Sequence, residues 1–137
     1  TNYDTAAAIY RPAVLLYMAY HIGLDIVNIE RFRRLSGDTA FLSRVFTPNE
    51  LYYAESKKAP YKHLAGRFAL KEAFLKALGT GMAEGISWQD IEVRREPGRG
   101  PVVEFKGDLN RYGSGITAIK ASLAYTGTAA LASVVLA

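Results

Sequence analysis

The chain has 137 residues, of which 50% are hydrophobic and 22% charged, so one domain with one apolar core is expected and intrinsic disorder is excluded. It has no cysteine and two histidines, which removes disulfide scaffolds, zinc fingers, iron–sulfur clusters, thiol nucleophiles and multi-histidine metal cages. Seventeen basic against 13 acidic side chains leave a net charge of +4, which favours an anionic partner without choosing among nucleic acid, an acidic protein and a phosphorylated small molecule. Its apolar runs are too short and interrupted to span a bilayer, so no membrane partner is expected. The location is separately expected to be cytoplasmic.

Residues 1–20 differ in texture from the rest and form an expected N-terminal extension, with one domain over 21–137. Thr1 is not an initiator, so a chain that is processed, trimmed or cut from something larger is expected. Ala13 to Tyr20 has the apolarity of a secretion signal but no small-residue cleavage site after it, and reads as a structured extension or early strand. Tyr20 to Ile29 reads as a buried strand that carries Asp25. Ile29 to Leu35 is a short basic amphipathic helix, stopped by Ser36-Gly37-Asp38.

Thr47-Pro48-Asn49-Glu50 is a capping box with proline at the first helical position, opening a helix to about Ser56. A long helix covers about Tyr61 to Leu78, with Gly79 as a left-handed C-cap. Strands at Ile91–Val93 and Val102–Phe105 flank the turn-rich Glu96–Pro101, and Asp108–Tyr112 makes one or two helical turns. Thr117–Tyr125 alternates, with Ile119, Ala121, Leu123 and Tyr125 on one face, and Ala129–Leu136 is the last strand. The pattern is α+β, with helices on an antiparallel sheet.

The long helix holds two polar stripes among apolar residues. His63, Arg67 and Lys71 form a basic one, which is either a site or simply the exposed side. Glu72 and Lys76 lie further round, flanked by Ala65, Ala69 and Ala73. They are either an i,i+4 ion pair on a solvated face or a site where the alanines leave room for a ligand. Asp25, costly to bury alone, is a helix N-cap, an arginine partner or a cation ligand. Two carboxylates with basic groups around them suit Mg²⁺ and phosphate chemistry.

Gly23-Leu24-Asp25-Ile26-Val27, followed some forty residues later by Arg67-Phe68-Ala69-Leu70-Lys71-Glu72-Ala73-Phe74-Leu75-Lys76-Ala77, resembles the holo-acyl-carrier-protein synthases, the small bacterial 4′-phosphopantetheinyl transferases. Phe46–Leu51, Leu78–Gly81, Gly85–Val93 and Pro101–Val103 are similar to further stretches of that family, so the resemblance spans about Tyr20 to Val135. It implies the 4′-phosphopantetheinyl transferase fold, an antiparallel sheet packed by a long central helix. The implied reaction moves 4′-phosphopantetheine from coenzyme A (CoA) to a serine of an apo acyl carrier protein and releases adenosine 3′,5′-bisphosphate.

By motif, the resemblance implies that Asp25 and Glu72 hold Mg²⁺ and that Glu72 and Lys76 are catalytic, with the general base left open between Glu72, Lys76 and a metal-bound water. It implies CoA binding by Arg67, Lys76, Gly79, Thr80, Gly81 and Tyr125, and carrier-protein docking on Arg31, Arg33 and Arg34. It also implies a homotrimer with sites between subunits and a place in fatty acid and lipid metabolism.

Three departures stand out. Where the family has Ser-x-Ser-His near the CoA nucleotide, this chain has Ser122-Leu123-Ala124-Tyr125; it carries the N-terminal extension; and its tail is short. They motivate an alternative, a non-catalytic relative that binds CoA or the carrier as a scaffold. A nucleic-acid-binding domain rests on charge alone, without a binding motif, and no nucleic-acid partner is expected.

Overall fold

The computed structural model describes residues 20–137, so the expected extension lies outside the described residues except for Tyr20. Strand β1 (His21–Asn28) leads into α1 (Ile29–Leu35) through Asn28, whose side chain accepts the Arg31 N–H at 3.3 Å and caps the helix. Helix α2 (Thr39–Val45) was not expected from the sequence. Its start is Asp38, which stops the preceding helix and also caps the next by accepting the Phe41 N–H at 3.0 Å. The capping box does open α3 (Pro48–Glu55), and α4 runs Pro60–Leu78, one residue longer at its start because Pro60 supplies the first helical position. Gly79 ends α4 in the left-handed conformation at φ 78°.

A 3₁₀ turn at Trp88–Asp90, also not anticipated, is held by a second capping box between Ser87 and Asp90. Strands β2 (Ile91–Glu96) and β3 (Gly100–Phe105) form a hairpin, extending the expected strands to the turn itself. After the short α5 (Leu109–Tyr112), β4 (Ile119–Tyr125) and β5 (Ala129–Leu136) are antiparallel neighbours, and β5 also pairs antiparallel with β1. The order of this sheet is β1-β5-β4, with β2-β3 as a separate ladder. The α+β expectation is met: an antiparallel sheet wraps a long central helix.

Helix α4 is buried nearly all round, from Leu64 to Ala77, which corrects two expectations. Ala65, Ala69 and Ala73 have no exposure, and they permit close packing rather than leaving room for a ligand. Gly23 of β1 sits so near that a Cβ there would lie 1.8 Å from the Ala73 carbonyl oxygen, so only glycine lets strand and helix meet. The basic stripe is not an exposed side either: Lys71 is 0% and Arg67 4% exposed.

Lys71 is a tie through the interior. Its ammonium donates to Glu50 Oε1 at 2.7 Å, the Val45 carbonyl at 2.8 Å and the Trp88 carbonyl at 3.1 Å. Glu50 in turn accepts the N–H groups of Thr47 and Val93, both at 2.8 Å. One ion pair thus joins α2, α3, α4, the 3₁₀ turn and β2, with its charges compensated by hydrogen bonds as burial demands.

The expectation of a fully buried β1 holds on one face only. Gly23 and Val27 point at α4, while Ile22, Leu24 and Ile26 are 69%, 56% and 68% exposed. The register aligns them with Val135, Ser133 and Leu131 of β5, so the outer face of the sheet is largely apolar and bears no second layer among the described residues.

Candidate active site

The close approach at Gly23 fixes where the chemistry sits. Asp25 lies two residues further along β1, and Glu72 and Lys76 each stand one residue before the alanines, Ala73 and Ala77, that Gly23 faces. Lys76 Nζ reaches across to donate to Asp25 Oδ1 at 2.8 Å and to the Leu24 carbonyl at 3.0 Å. The sequence readings of Asp25 as an N-cap or an arginine partner give way to this lysine pair. Among the described residues no Glu72–Lys76 ion pair forms, so the i,i+4 surface-pair reading fails as well. Lys76 is drawn to the strand.

Glu72 is half-buried between β1 and α1. Burial, and then the Asp25 charge, push its pKa up, against weaker opposition from Lys76 and Arg31. Lys76 is pushed up by its hydrogen bond and charge pairing with Asp25, so it stays an ammonium at neutral pH. Two neighbouring carboxylates beside a fixed ammonium are a hard oxygen donor set of the kind Mg²⁺ uses with substrate phosphate. The residues therefore fit the cation that the sequence implied.

Arg31 spreads over the Phe32 and Phe68 rings, its guanidinium 5.9 and 5.6 Å from their centroids, and acts electrostatically on Glu72. Arg33 lies 5.8 Å over the Tyr61 ring, and Arg34 is exposed in the last turn of α1. Of the three arginines, Arg31 is the one these contacts place beside the carboxylates, while Arg33 stands over the start of α4. Past Lys76 the Gly79–Gly81 loop turns on two left-handed glycines, and the Gly79 N–H is spent on the cap, bonded to the Leu75 and Lys76 carbonyls.

The other expected CoA residues, Arg67 and Tyr125, are elsewhere. They line a cavity of about 360 Å³ with Tyr53, His63, Arg94, Arg95 and Arg99, and none of Asp25, Glu72 or Lys76 reaches it. At about 100° per residue, Arg67 stands about 140° round α4 from Glu72 and about 180° from Lys76. The set expected to form one CoA site is split across two faces of the helix in a single chain.

Arg67 is built into this cavity. Its guanidinium lies 4.0 Å over the Tyr53 ring, and its Nε is buried without a partner among the described residues. Tyr125 closes the wall against Gly66, where a Cβ would come within 2.2 Å of the phenol oxygen. Burial pushes the Tyr125 pKa up, so the phenol remains a neutral donor. Sequence reading missed Arg94, Arg95 and Arg99 here. The Pro97-Gly98 turn folds 94–96 back beside 100–102, with Arg99 in the turn, but nothing in their spacing shows that the hairpin faces Arg67.

Residues 21–125 match the 4′-phosphopantetheinyl transferase superfamily (ACPS). The chain is 44% identical over 123 residues to the holo-[acyl-carrier-protein] synthase of Geotalea daltonii, covering 87% of this chain and 98% of that protein. It is 42% identical over 119 residues to that of Koribacter versatilis, covering 83% and 94%. In fold it is similar to the Neisseria meningitidis synthase (TM-score 0.75, 34% identity, 85% of this chain and 97% of the other). It is equally similar to the Helicobacter pylori synthase in complex with coenzyme A (TM-score 0.75, 32% identity, 85% and 99%).

Proposed function

The chain belongs to the 4′-phosphopantetheinyl transferase superfamily, among its holo-[acyl-carrier-protein] synthases, and from that membership we propose how its own residues carry the reaction. The protein transfers phosphopantetheine from CoA to acyl carrier protein. Asp25 and Glu72 hold Mg²⁺, and the observation that carries this assignment is their convergence with Lys76 where β1 meets α4. When bound, the cation neutralises charge on the attacked phosphate and on the leaving group.

Lys76 binds phosphate oxygens as a permanent cation. Its pairing with Asp25 makes it a poor acceptor for the serine proton, which leaves Glu72 the better placed side chain for that role. Arg31, Arg33 and Arg34 receive the acidic carrier, and Arg31, which borders Glu72, brings its serine to the carboxylates. Thr80 and Gly81 lie on the loop after Lys76, suited to the pyrophosphate.

The arginine-lined cavity takes the nucleotide end of CoA, with Arg67 and Tyr125 as ligands. One chain holds the carboxylates and this cavity on different faces of α4, so a working site combines the carboxylates of one copy with the cavity of another. The apolar outer face of β1 and β5 supports such an assembly, which we assign as a homotrimer. Among the described residues no helix is long and apolar enough to cross a membrane.

Intact-mass spectrometry of an apo acyl carrier protein with this chain, CoA and Mg²⁺ tests the reading. A gain of one phosphopantetheine, abolished by EDTA and restored by excess Mg²⁺, is expected. Undiminished gain in EDTA would refute the cation site.

A further inference from the structure

His63 stands in the arginine-lined cavity with no role in the reaction as described so far. It is one turn before Arg67 on α4, and its backbone carbonyl accepts from Arg67 Nη1 at 3.4 Å. The imidazole is held edge-on between two tyrosines, Tyr53 at 5.7 Å and Tyr125 at 6.4 Å between ring centroids. Among the described residues its ring nitrogens make no hydrogen bond. The site is therefore aromatic-walled and half-buried, with a free imidazole beside an arginine whose buried Nε is also unpartnered. The half-buried imidazole thus lines an arginine-rich cavity with its ring nitrogens available to a ligand.

The charges around the ring define that ligand. Lys62 and Arg67 face it from α4, Lys57 from the turn after α3 and Arg95 from β2; the neutral phenols of Tyr53 and Tyr125 complete its surroundings. Arg94 and Arg99 line the same cavity. Burial and these four cations push the His63 pKa below its usual value, so the empty pocket holds a neutral imidazole. A dianion placed there offsets part of that positive field, and a phosphoryl oxygen in hydrogen-bond contact with the ring favours its protonated form.

We propose that His63 is a ligand of the phosphate monoester at the nucleotide end of CoA, taking a proton from solvent as the phosphate enters and donating it in a hydrogen bond to a phosphoryl oxygen. The proposal rests on the reading of this cavity as the nucleotide pocket. It makes His63 a specificity residue: a dephosphorylated ribose offers nothing to draw the proton in. Binding thereby consumes a proton near neutral pH and tightens as the pH falls, down to the point where the phosphate itself protonates, near its second pKa of about 6.

Calorimetric titration with adenosine 3′,5′-bisphosphate at pH 7, in two buffers of different ionisation enthalpy, reads both affinity and proton uptake. The native protein is expected to take up on the order of half a proton more than His63→Gln. The variant is expected to bind about tenfold more weakly. His63→Lys, always charged, recovers the affinity without the uptake, and adenosine 5′-monophosphate shows no His63-dependent uptake. Equal uptake and affinity in native protein and His63→Gln, with binding lost in Arg67→Met and Arg95→Gln, would overturn the role of His63 alone. Binding unaffected in Arg67→Met and Arg95→Gln would overturn the nucleotide pocket, and the proposal with it.

Discussion

Replacing Glu72 by Gln is expected to slow phosphopantetheine transfer about a hundredfold or more while leaving the protein as stable as before, or slightly more so. The first half follows from the site: Gln keeps the shape of Glu but cannot supply the anionic oxygen that completes the pair with Asp25. The second half follows from the sign of the pKa shift. A carboxyl whose pKa is raised in the folded state holds its proton more tightly there, so its ionised form weakens the fold at every pH above that value. A neutral amide removes that cost. A transfer assay beside a thermal melt checks both halves: native transfer would contradict the cation role, and a large fall in melting temperature would contradict the electrostatics.

Truncating Lys71 to Ala is expected to have the opposite profile, with a stability cost of about 3–5 kcal/mol. The variant leaves Glu50 buried at 1% exposure with a charge no cation balances, and orphans the Val45 and Trp88 carbonyls. In a domain of this size that lowers the melting temperature by on the order of ten degrees. The double variant Lys71→Met with Glu50→Gln is expected to recover part of the loss, because it removes both charges and keeps the packing volume. Melting of the Lys71→Ala variant within a degree of the native protein would show that the tie contributes nothing.

Lys71 and Glu72 are adjacent on one helix, yet one serves the fold and the other the reaction. The sequence could not separate them. The helix pattern places Lys71 on a stripe with His63 and Arg67, but its partner Glu50 is 21 residues away, in a capping box that looks complete without it. Local chemistry was legible: the Thr47 capping box, the Gly79 cap and the alternation of β4 each follow from contacts within a few residues. Asp38 was read as the end of α1, because a residue that stops one helix and caps the next carries a single signal.

The candidate site divides along the same line. Asp25, Glu72 and Lys76 were legible because motif and helix periodicity marked them, and the strand–helix contact at Gly23 brings them together. Arg67 and Tyr125 were legible as residues but not as a separate pocket. Only the fold shows that the hairpin arginines, and not the carboxylates, stand beside them. The alanines of α4 misled for a related reason: small side chains permit close approach, and spacing alone does not say whether a ligand or a strand approaches.

In the proposed assembly, one functional site draws its carboxylates and its nucleotide cavity from two copies of this chain. Co-expression of Glu72→Gln with Arg67→Met, followed by intact-mass measurement of an apo acyl carrier protein, tests it most directly. Each variant alone is expected to be nearly inactive, and the mixed assembly to regain a substantial fraction of native transfer, because some interfaces pair an intact carboxylate site with an intact cavity. No recovery from assemblies shown to contain both variants would contradict the shared site.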